Sequence, residues 1–397
     1  MNGVDAAGLG IGGGNPPRIM GVLNVSEESP YDPSVYDDPG DAARYVDKEL
    51  IDEGADIVDI GLESANKRFD VLTAEAELER LHVALETIES VSGDAIFSIE
   101  TRYAEVAEAA LSQGFDMVND ICGFADPEMP EVCREYDVAV GKMASPPDLT
   151  RPGAVEETDW AGRKSTGWAA EADYVDQVYE ALKQHGLTEK TIVDPAFGGW
   201  SEAQTVADDR KTFHRLGEFR VLGQPILVSI NRKNFLGDLV DRETDQRLAA
   251  SLAATSMAVE RGADVIRTHD VAETRDAALI GDAFADSSHA ISDSVSVSRL
   301  EVRSPRALRR QLRERGIDPA VADECQPIAL DIDGLSIGER RHIDALVTDR
   351  DASWHTVTDH SGLLVGSVTD IRDISRGLRE EYDSSDGLRD ALAELLQ

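Results

Sequence analysis

Pro225 to Gly237 reads PILVSINRKNFLG, and the architecture can be worked out from this stretch. Ile226, Leu227 and Val228 form an apolar run of a length that suits a buried strand. The chain then turns through Asn231, Arg232, Lys233 and Asn234 before Phe235 and Leu236 resume an apolar pattern. Two cations and two amides at the mouth of a buried strand suit an anionic or acceptor-rich small molecule, because Arg offers a planar fork and Lys a mobile point charge. An isolated Arg-Lys turn would carry no such meaning. Here the same event recurs, with other polar residues, at the end of nearly every strand.

Working outward, strands are expected at Ile19–Asn24, Asp56–Gly61, Ala95–Glu100, Met117–Asp120, Val138–Met143, Thr191–Asp194, Ile226–Ile230 and Asp264–Thr268. Amphipathic helices fall between them. Ala74–Val91 repeats Leu78, Leu81, Leu85 and Ile88 at helical spacing, and Thr244–Arg261 sets Leu248, Leu252 and Val259 on one face. Eight such units in unbroken rhythm over residues 18–285 predict an α/β fold, a (β/α)8 TIM barrel, in preference to an open doubly wound sheet. In a barrel the C-terminal strand ends share one face, where sites are built. Those ends carry Asn24, Glu63, Glu100, Asn119, Lys142, Met143, Asp194, Asn231 to Lys233, Arg267 and His269. Glu100, Asn119 and Asp194 are acceptor-rich and suit a heterocycle with several N–H groups. Asn24, Arg267 and His269 suit a phosphate, for which the loop after the eighth strand is a common seat.

Residues 1–17 contain GLGIGGGNPP. Gly8, Gly10 and Gly13 loosely mimic a dinucleotide loop, but that loop must follow a strand and this one precedes the first. A flexible tail is expected. Ala144 to Trp168 is much longer than the other connections and is expected to form a partial lid. A linker rich in Ser, Asp and His spans Ala285–Ser296, and residues 297–397 are expected to form a small C-terminal α/β domain. Its signals are Ser304-Pro305 opening a helix closed by Gly316, a strand at Pro327–Ile332, and a capping box at Ser336–Glu339. A hairpin over Trp354–Val357 and Leu363–Val368 precedes two closing helices. His342, His355 and His360 lack metal spacing and are read as surface residues.

The chain has 397 residues, 77 acidic against 39 basic, for a formal net charge of −38. The acidity is spread along the chain, which argues against nucleic acid or an anionic membrane as partner. It matches the surface of a halophile's protein, since molar salt screens the self-repulsion. Cys122, Cys133 and Cys325 show no CxxC spacing and read as reduced thiols. No apolar run reaches the length of a membrane span, so a cytoplasmic protein is expected.

The rim residues also carry a resemblance. IMGVLNV at Ile19–Val25, IGLES at Ile60–Ser64, SIET at Ser98–Thr101 and NDICG at Asn119–Gly123 resemble motifs of the dihydropteroate synthase family. So do DPAFG at Asp194–Gly198, LVSINRKNFLG at Leu227–Gly237 and IRTHDV at Ile266–Val271. The order over residues 18–285 matches, which is far more specific than any single motif. The C-terminal segments SPRALRRQLRERGIDP, PIALDIDGLS and LLVGSVTDIRDISRGL resemble an accessory region of some bacterial synthases, so a haloarchaeal member with a C-terminal accessory domain is expected.

The resemblance implies a transferase of folate biosynthesis, usually dimeric. It condenses 6-hydroxymethyl-7,8-dihydropterin diphosphate with 4-aminobenzoate, giving 7,8-dihydropteroate and diphosphate with Mg²⁺ assisting. It implies that Glu100, Asn119, Met143, Asp194 and Lys233 hold the pterin. Asn24, Arg267 and His269 would hold the diphosphate, with Asn24 also serving the metal. Ser64 and Arg232 would face the arylamine, and Lys233, Arg267 and His269 would be catalytic.

The departures bear on the arylamine side. Glu63-Ser64 is followed by Ala65-Asn66-Lys67-Arg68 where the family continues Thr-Arg-Pro-Gly, and Lys67 or Arg68 would have to reach in. The first loop reads Ser26-Glu27-Glu28-Ser29-Pro30-Tyr31. Glu100 stands for Asp, Asn231 and Asn234 for two serines, and Lys142 for a usual His. Two alternatives stay open at this point: a methyltransferase acting between a methyl-tetrahydropterin and a corrinoid protein, and a non-catalytic pterin-binding paralogue.

Overall fold

The computed structural model describes residues 3–26, 34–64, 71–285 apart from 199 and 202, and, with short breaks, 289–380, together with 388. Two compact units result, Met1–Leu300 and Glu301–Gln397.

The first unit is organised around eight parallel strands: β3 (Arg18–Asn24), β4 (Ile57–Gly61), β5 (Ile96–Thr101), β6 (Met117–Asp120), β7 (Ala139–Met143), β8 (Thr191–Asp194), β9 (Leu227–Val228) and β10 (Val265–Thr268). They pair in the order β8-β7-β6-β5-β4-β3-β10-β9. A parallel bridge between Val193 and Ile226 joins the two ends and closes the barrel.

Alternation along the strands sorts their side chains. Met20, Ile57, Met117, Ala139, Ile192, Leu227 and Val265 form one buried apolar cluster at the N-terminal end of the barrel interior. Counting on by two along the same strands leads to Asp59, Asn119, Asp194 and Arg267, and then to Asn24, Gly61 and Met143; on β5 the same parity runs from Ile96, packed against the cluster, through Ser98 to Glu100. The lower barrel is thus oil and the upper barrel is polar. The other strand face packs on the helices. Outside the barrel, α2 (Ala74–Ser90) buries Leu81 and Ala84 and packs Leu78, Leu85 and Ile88 against the core.

The expectation of a flexible tail at 1–17 is corrected. β1 (Val4–Ala6) and β2 (Leu9–Ile11) form an antiparallel hairpin. Its two-residue turn, Ala7-Gly8, takes positive φ at both positions, the geometry that matches the twist of a hairpin. Val4, Ala6 and Ile11 are buried in the apolar cluster at the bottom of the barrel, so the hairpin plugs that end. Three-residue strands are too short for their alternation to register against the surrounding glycines.

Thr244–Arg261 is also corrected. A single 3-10 turn at Thr244–Gln246 precedes α10 (Leu248–Glu260), which buries Ser251, Ala254, Thr255, Ala258 and Val259 in place of Leu248 and Leu252. Small residues face inward because α10 runs close to α11 (Val271–Phe284). A side chain at Gly281 would collide with the Ser256 carbonyl.

The long connection after β7 is pinned along the barrel mouth. Ser145 Oγ donates to the Ile121 carbonyl at 2.8 Å and accepts from Gly153 N at 2.9 Å. The segment continues through a turn at Val155–Glu157, α5 (Trp160–Arg163) and α6 (Thr166–Glu171).

In the second unit, β11 (Pro327–Ile332), β12 (Ser353–Thr358) and β13 (Ser361–Ser367) make an antiparallel sheet in the order β11-β13-β12. Leu335, Ile343, Leu346, Trp354, Leu364, Val368, Ile371, Ile374 and Leu378 form its core. Ser336 caps the helix Ile337–Val347 in the expected capping box. Ser304 and most of 381–397, where a second closing helix was expected, lie outside the described residues. His355 and His360 are exposed and His342 half-buried. No helix among the described residues is long and apolar enough to cross a membrane.

Candidate active site

The polar upper barrel is built around Asp59. This carboxylate is fully buried, and its Oδ2 accepts from Asn119 Nδ2 at 2.9 Å and from Arg267 Nε at 2.7 Å. Arg267 Nη2 in turn donates to Glu100 Oε2 at 2.6 Å. Two glycines make room for these side chains. A Cβ at Gly141 would stand 2.9 Å from Asn119 Oδ1, and one at Gly61 would stand 3.2 Å from Asn24 Oδ1. Asp59 was not among the residues picked out from the sequence. Its signal was the alternation Ile57-Asp59-Gly61, an acid in an otherwise apolar strand on the inward parity.

Charge in this pocket is held far from its ordinary balance. Burial disfavours the charge of Arg267, yet the Glu100 and Asp59 carboxylates more than offset it and hold the guanidinium above its usual range. Burial raises Glu100 while Arg267 pulls it back. Asp194, at the end of β8, accepts from Ala196 N at 2.8 Å and is pushed up to about 6 by burial. Lys233, at the N-terminus of α9 (Asn234–Val240), is lowered by burial, with the Asp194 carboxylate acting against the shift. Its Nζ stands 4.7 Å from the centroid of the Trp200 ring.

The phosphate-suited residues also meet. Ser34 Oγ lies 3.2 Å from His269 Nδ1 and accepts from Asn24 Nδ2 at 3.1 Å. Asn231 Oδ1 accepts from His269 N at 3.3 Å. Burial and then the Arg267 cation push His269 down to about 3, so its imidazole is neutral and offers a hydrogen bond rather than a charge.

A family profile described as pterin binding enzyme matches residues 20–269, the span that carries every group just described. The chain belongs to the pterin binding enzyme family.

Within that family, curated relatives include a dihydropteroate synthase of Bacillus subtilis, 30% identical over 271 residues, covering 67% of this chain and 88% of the relative. A probable bifunctional folylpolyglutamate synthase/dihydropteroate synthase of Halobacterium salinarum is 34% identical over 270 residues. Those residues cover 68% of this chain but 32% of that relative, so the chain spans about a third of the length of the bifunctional protein. Among solved structures, a Coxiella burnetii dihydropteroate synthase in complex with pteroic acid aligns with a TM-score of 0.56 at 30% identity. The alignment covers 70% of this chain and 97% of that one. The Thermus thermophilus synthase in complex with 4-aminobenzoate gives 0.53 at 28% identity, covering 68% and 95%.

Not every residue picked out from the sequence joins the pocket of this pterin binding enzyme. Met143 is buried on the inward parity of β7, beside Asp194 in the strand register. Lys142 points the other way, which corrects its place among the rim residues. It is fully buried outside the barrel, where Nζ donates to the carbonyls of Gln184 (2.5 Å) and Gly186 (2.8 Å) and lies 4.2 Å from the Phe124 ring centroid.

Arg232 is likewise withdrawn from the arylamine side. Its Nε and Nη2 grip both Asp270 oxygens at 2.8 Å, and Nη1 donates to the Thr244 and Asp245 carbonyls at 3.1 and 2.8 Å. A guanidinium engaged at all three nitrogens is a framework element. Ser64 is buried near the start of the loop after β4. Lys67 and Arg68, and the first-loop residues Glu27 to Tyr31, lie outside the described residues. No cluster of three or more His, Cys, Asp or Glu suited to a metal occurs among the described residues.

Proposed function

We propose that this chain is a dihydropteroate synthase that joins 6-hydroxymethyl-7,8-dihydropterin diphosphate to 4-aminobenzoate. The observation that carries the reading is the single polar cup above an apolar barrel floor, in which Asp59, Asn119, Asp194 and Glu100 stand beside Arg267 and Lys233. The relatives named above support it.

The acceptors Asp194 and Glu100 and the amide of Asn119 match the N–H-rich edge of a pterin, and Met143 supplies an apolar wall. In the reaction the bond from the pterin methylene to the diphosphate oxygen breaks and the oxygen keeps the electron pair. The amine nitrogen bonds to the methylene carbon and loses a proton. Positive charge that develops on the pterin methylene is stabilised by buried carboxylates in a pocket from which water is largely excluded. Arg267 meets the departing diphosphate, with neutral His269 donating a hydrogen bond. Lys233, beside Asp194, bridges the pterin and the arylamine, and Ser64 faces the arylamine.

Asn24 fits a Mg²⁺ ion that binds mainly through substrate phosphates and water. Its Nδ2 is taken by Ser34, and its Oδ1, directed toward Gly61, is a hard neutral donor of the kind this ion accepts. When bound, the ion supplies charge neutralisation on the leaving oxygens.

We further propose that two copies pair through α10 and α11. Met257, Leu279, Ile280 and Phe284 are exposed apolar residues on these neighbouring helices, and Phe284 is 78% exposed. The acidic composition and the haloarchaeal relative support a halophile's cytoplasm as the working environment.

The test is direct. The 397-residue chain in molar KCl with Mg²⁺, the pterin diphosphate and isotopically labelled 4-aminobenzoate is expected to yield labelled dihydropteroate by mass spectrometry. Pterin binding with no labelled product would overturn the reading in favour of a non-catalytic paralogue.

A further inference from the structure

The pair Arg102-Tyr103, immediately after β5, reaches segments far apart in sequence. Arg102 is fully buried and continues the inward parity of Ser98 and Glu100. Its Nη2 donates to Glu63 Oε1 at 2.8 Å, on the loop after β4. Its Nη1 donates to the Leu149 carbonyl at 2.6 Å, on the long connection after β7. Cys122 Sγ converges on the same carbonyl at 3.4 Å. Tyr103 Oη donates to the Leu72 carbonyl at 2.6 Å, and Arg80 Nη1 to the Leu62 carbonyl at 2.9 Å. Leu62 and Leu72 are therefore each held through a carbonyl, and Arg102 bridges Glu63 to the long connection.

This arrangement is a poor way to gain stability. A buried guanidinium is costly to desolvate, and Arg102 Nε is buried with no hydrogen-bond partner. Nearby, Glu77 is driven up to about 8 by burial while accepting from Thr101 Oγ1 at 2.5 Å. What the guanidinium supplies is geometry. Its planar fork has two ends that face two different loops, which a Lys ammonium cannot reproduce at the same spacing.

We infer that Arg102 is a specificity-determining positioning residue. It locks the loop after β4 and the long connection after β7 together across the barrel mouth, and so sets where Ser64 meets the arylamine. The inference rests on the proposed synthase reading and deepens it. An Arg rooted on the neighbouring strand thus holds Glu63, the residue directly before Ser64.

Arg102→Lys keeps a cation for Glu63 but gives up the bridge to Leu149. It is compared with wild type and with the double variant Arg102→Met/Glu63→Gln, which removes the buried charge pair altogether. For both variants KM for 4-aminobenzoate is expected to rise roughly tenfold or more, with pterin affinity and kcat within about twofold of wild type. Hydrogen exchange at residues 144–157 is expected to accelerate in parallel. An unchanged arylamine KM in folded variants would overturn the inference, as would an equal loss of pterin affinity. Failure of Arg102→Lys to fold in molar salt would also overturn it, by making the residue part of the core. A wild-type chain with no synthase activity would sink the underlying reading instead.

Discussion

Asp59 Oδ2 and Arg267 Nε lie 2.7 Å apart across the closed barrel, joining its second strand to its eighth. The same oxygen receives Asn119 Nδ2, so one buried carboxylate orients both an amide and a guanidinium toward the cup. Removing one member of a buried pair leaves the other uncompensated, at a cost of about 3–5 kcal/mol. Asp59→Ala is expected to lose stability at the lower end of that range, because Glu100 still pairs with Arg267. Denaturant midpoints at fixed KCl check this, and a loss below about 1 kcal/mol would contradict it.

Asp194 gives the site a pH signature. Burial raises it from 3.8 to about 6, so the folded chain keeps this proton longer than the unfolded chain does. Its ionisation therefore subtracts stability as pH rises through that window, while under the proposed synthase reading the ionised form is the one to accept from the pterin. Pterin affinity is expected to fall as pH drops through about 6. Asp194→Asn should be weak and flat across the same range. An affinity profile for wild type that is level from neutral to acid would argue that another group receives the ring.

The N-terminal hairpin is a structural plug remote from the cup. Ile11 is fully buried with Met20 and Leu227 in the barrel floor. Ile11→Ala is expected to cost about 2–5 kcal/mol by opening a cavity, with kcat unchanged. A variant of wild-type stability would return residues 1–17 to the status of a tail.

The exposed apolar residues of α10 and α11 are expected to disappear from solvent in a two-chain assembly. Light scattering after size exclusion in molar KCl should give twice the 43.0 kDa chain mass. Ile280→Asp combined with Phe284→Asp should halve it, with the circular dichroism spectrum retained. A wild-type monomer would rule the pairing out.

Much of this is legible in the sequence. Strand ends in a barrel must share one face, so Asn24, Glu100, Asn119, Asp194, Lys233, Arg267 and His269 could be gathered from the sequence rhythm alone. What escaped depended on direction and on short elements. Lys142 and Met143 are neighbours in sequence, yet the strand's alternation sends one outside the barrel and the other in. Arg232 looked like a ligand-facing cation because nothing local shows that Asp270 waits for it. Asp59 was hidden mid-strand, away from the loop ends where polar residues draw notice. The hairpin strands, three residues each, offered no period to read.

The claim beneath all of this is that one cup receives the pterin. Calorimetric titration of 6-hydroxymethylpterin into wild type, Asp194→Asn and Asn119→Ala, in molar KCl at about pH 8, tests it without requiring turnover. The account predicts one site per chain in wild type and a loss of about tenfold or more in each variant, as a buried hydrogen-bond partner is removed. Undiminished binding in both variants would place the pterin elsewhere and contradict the account.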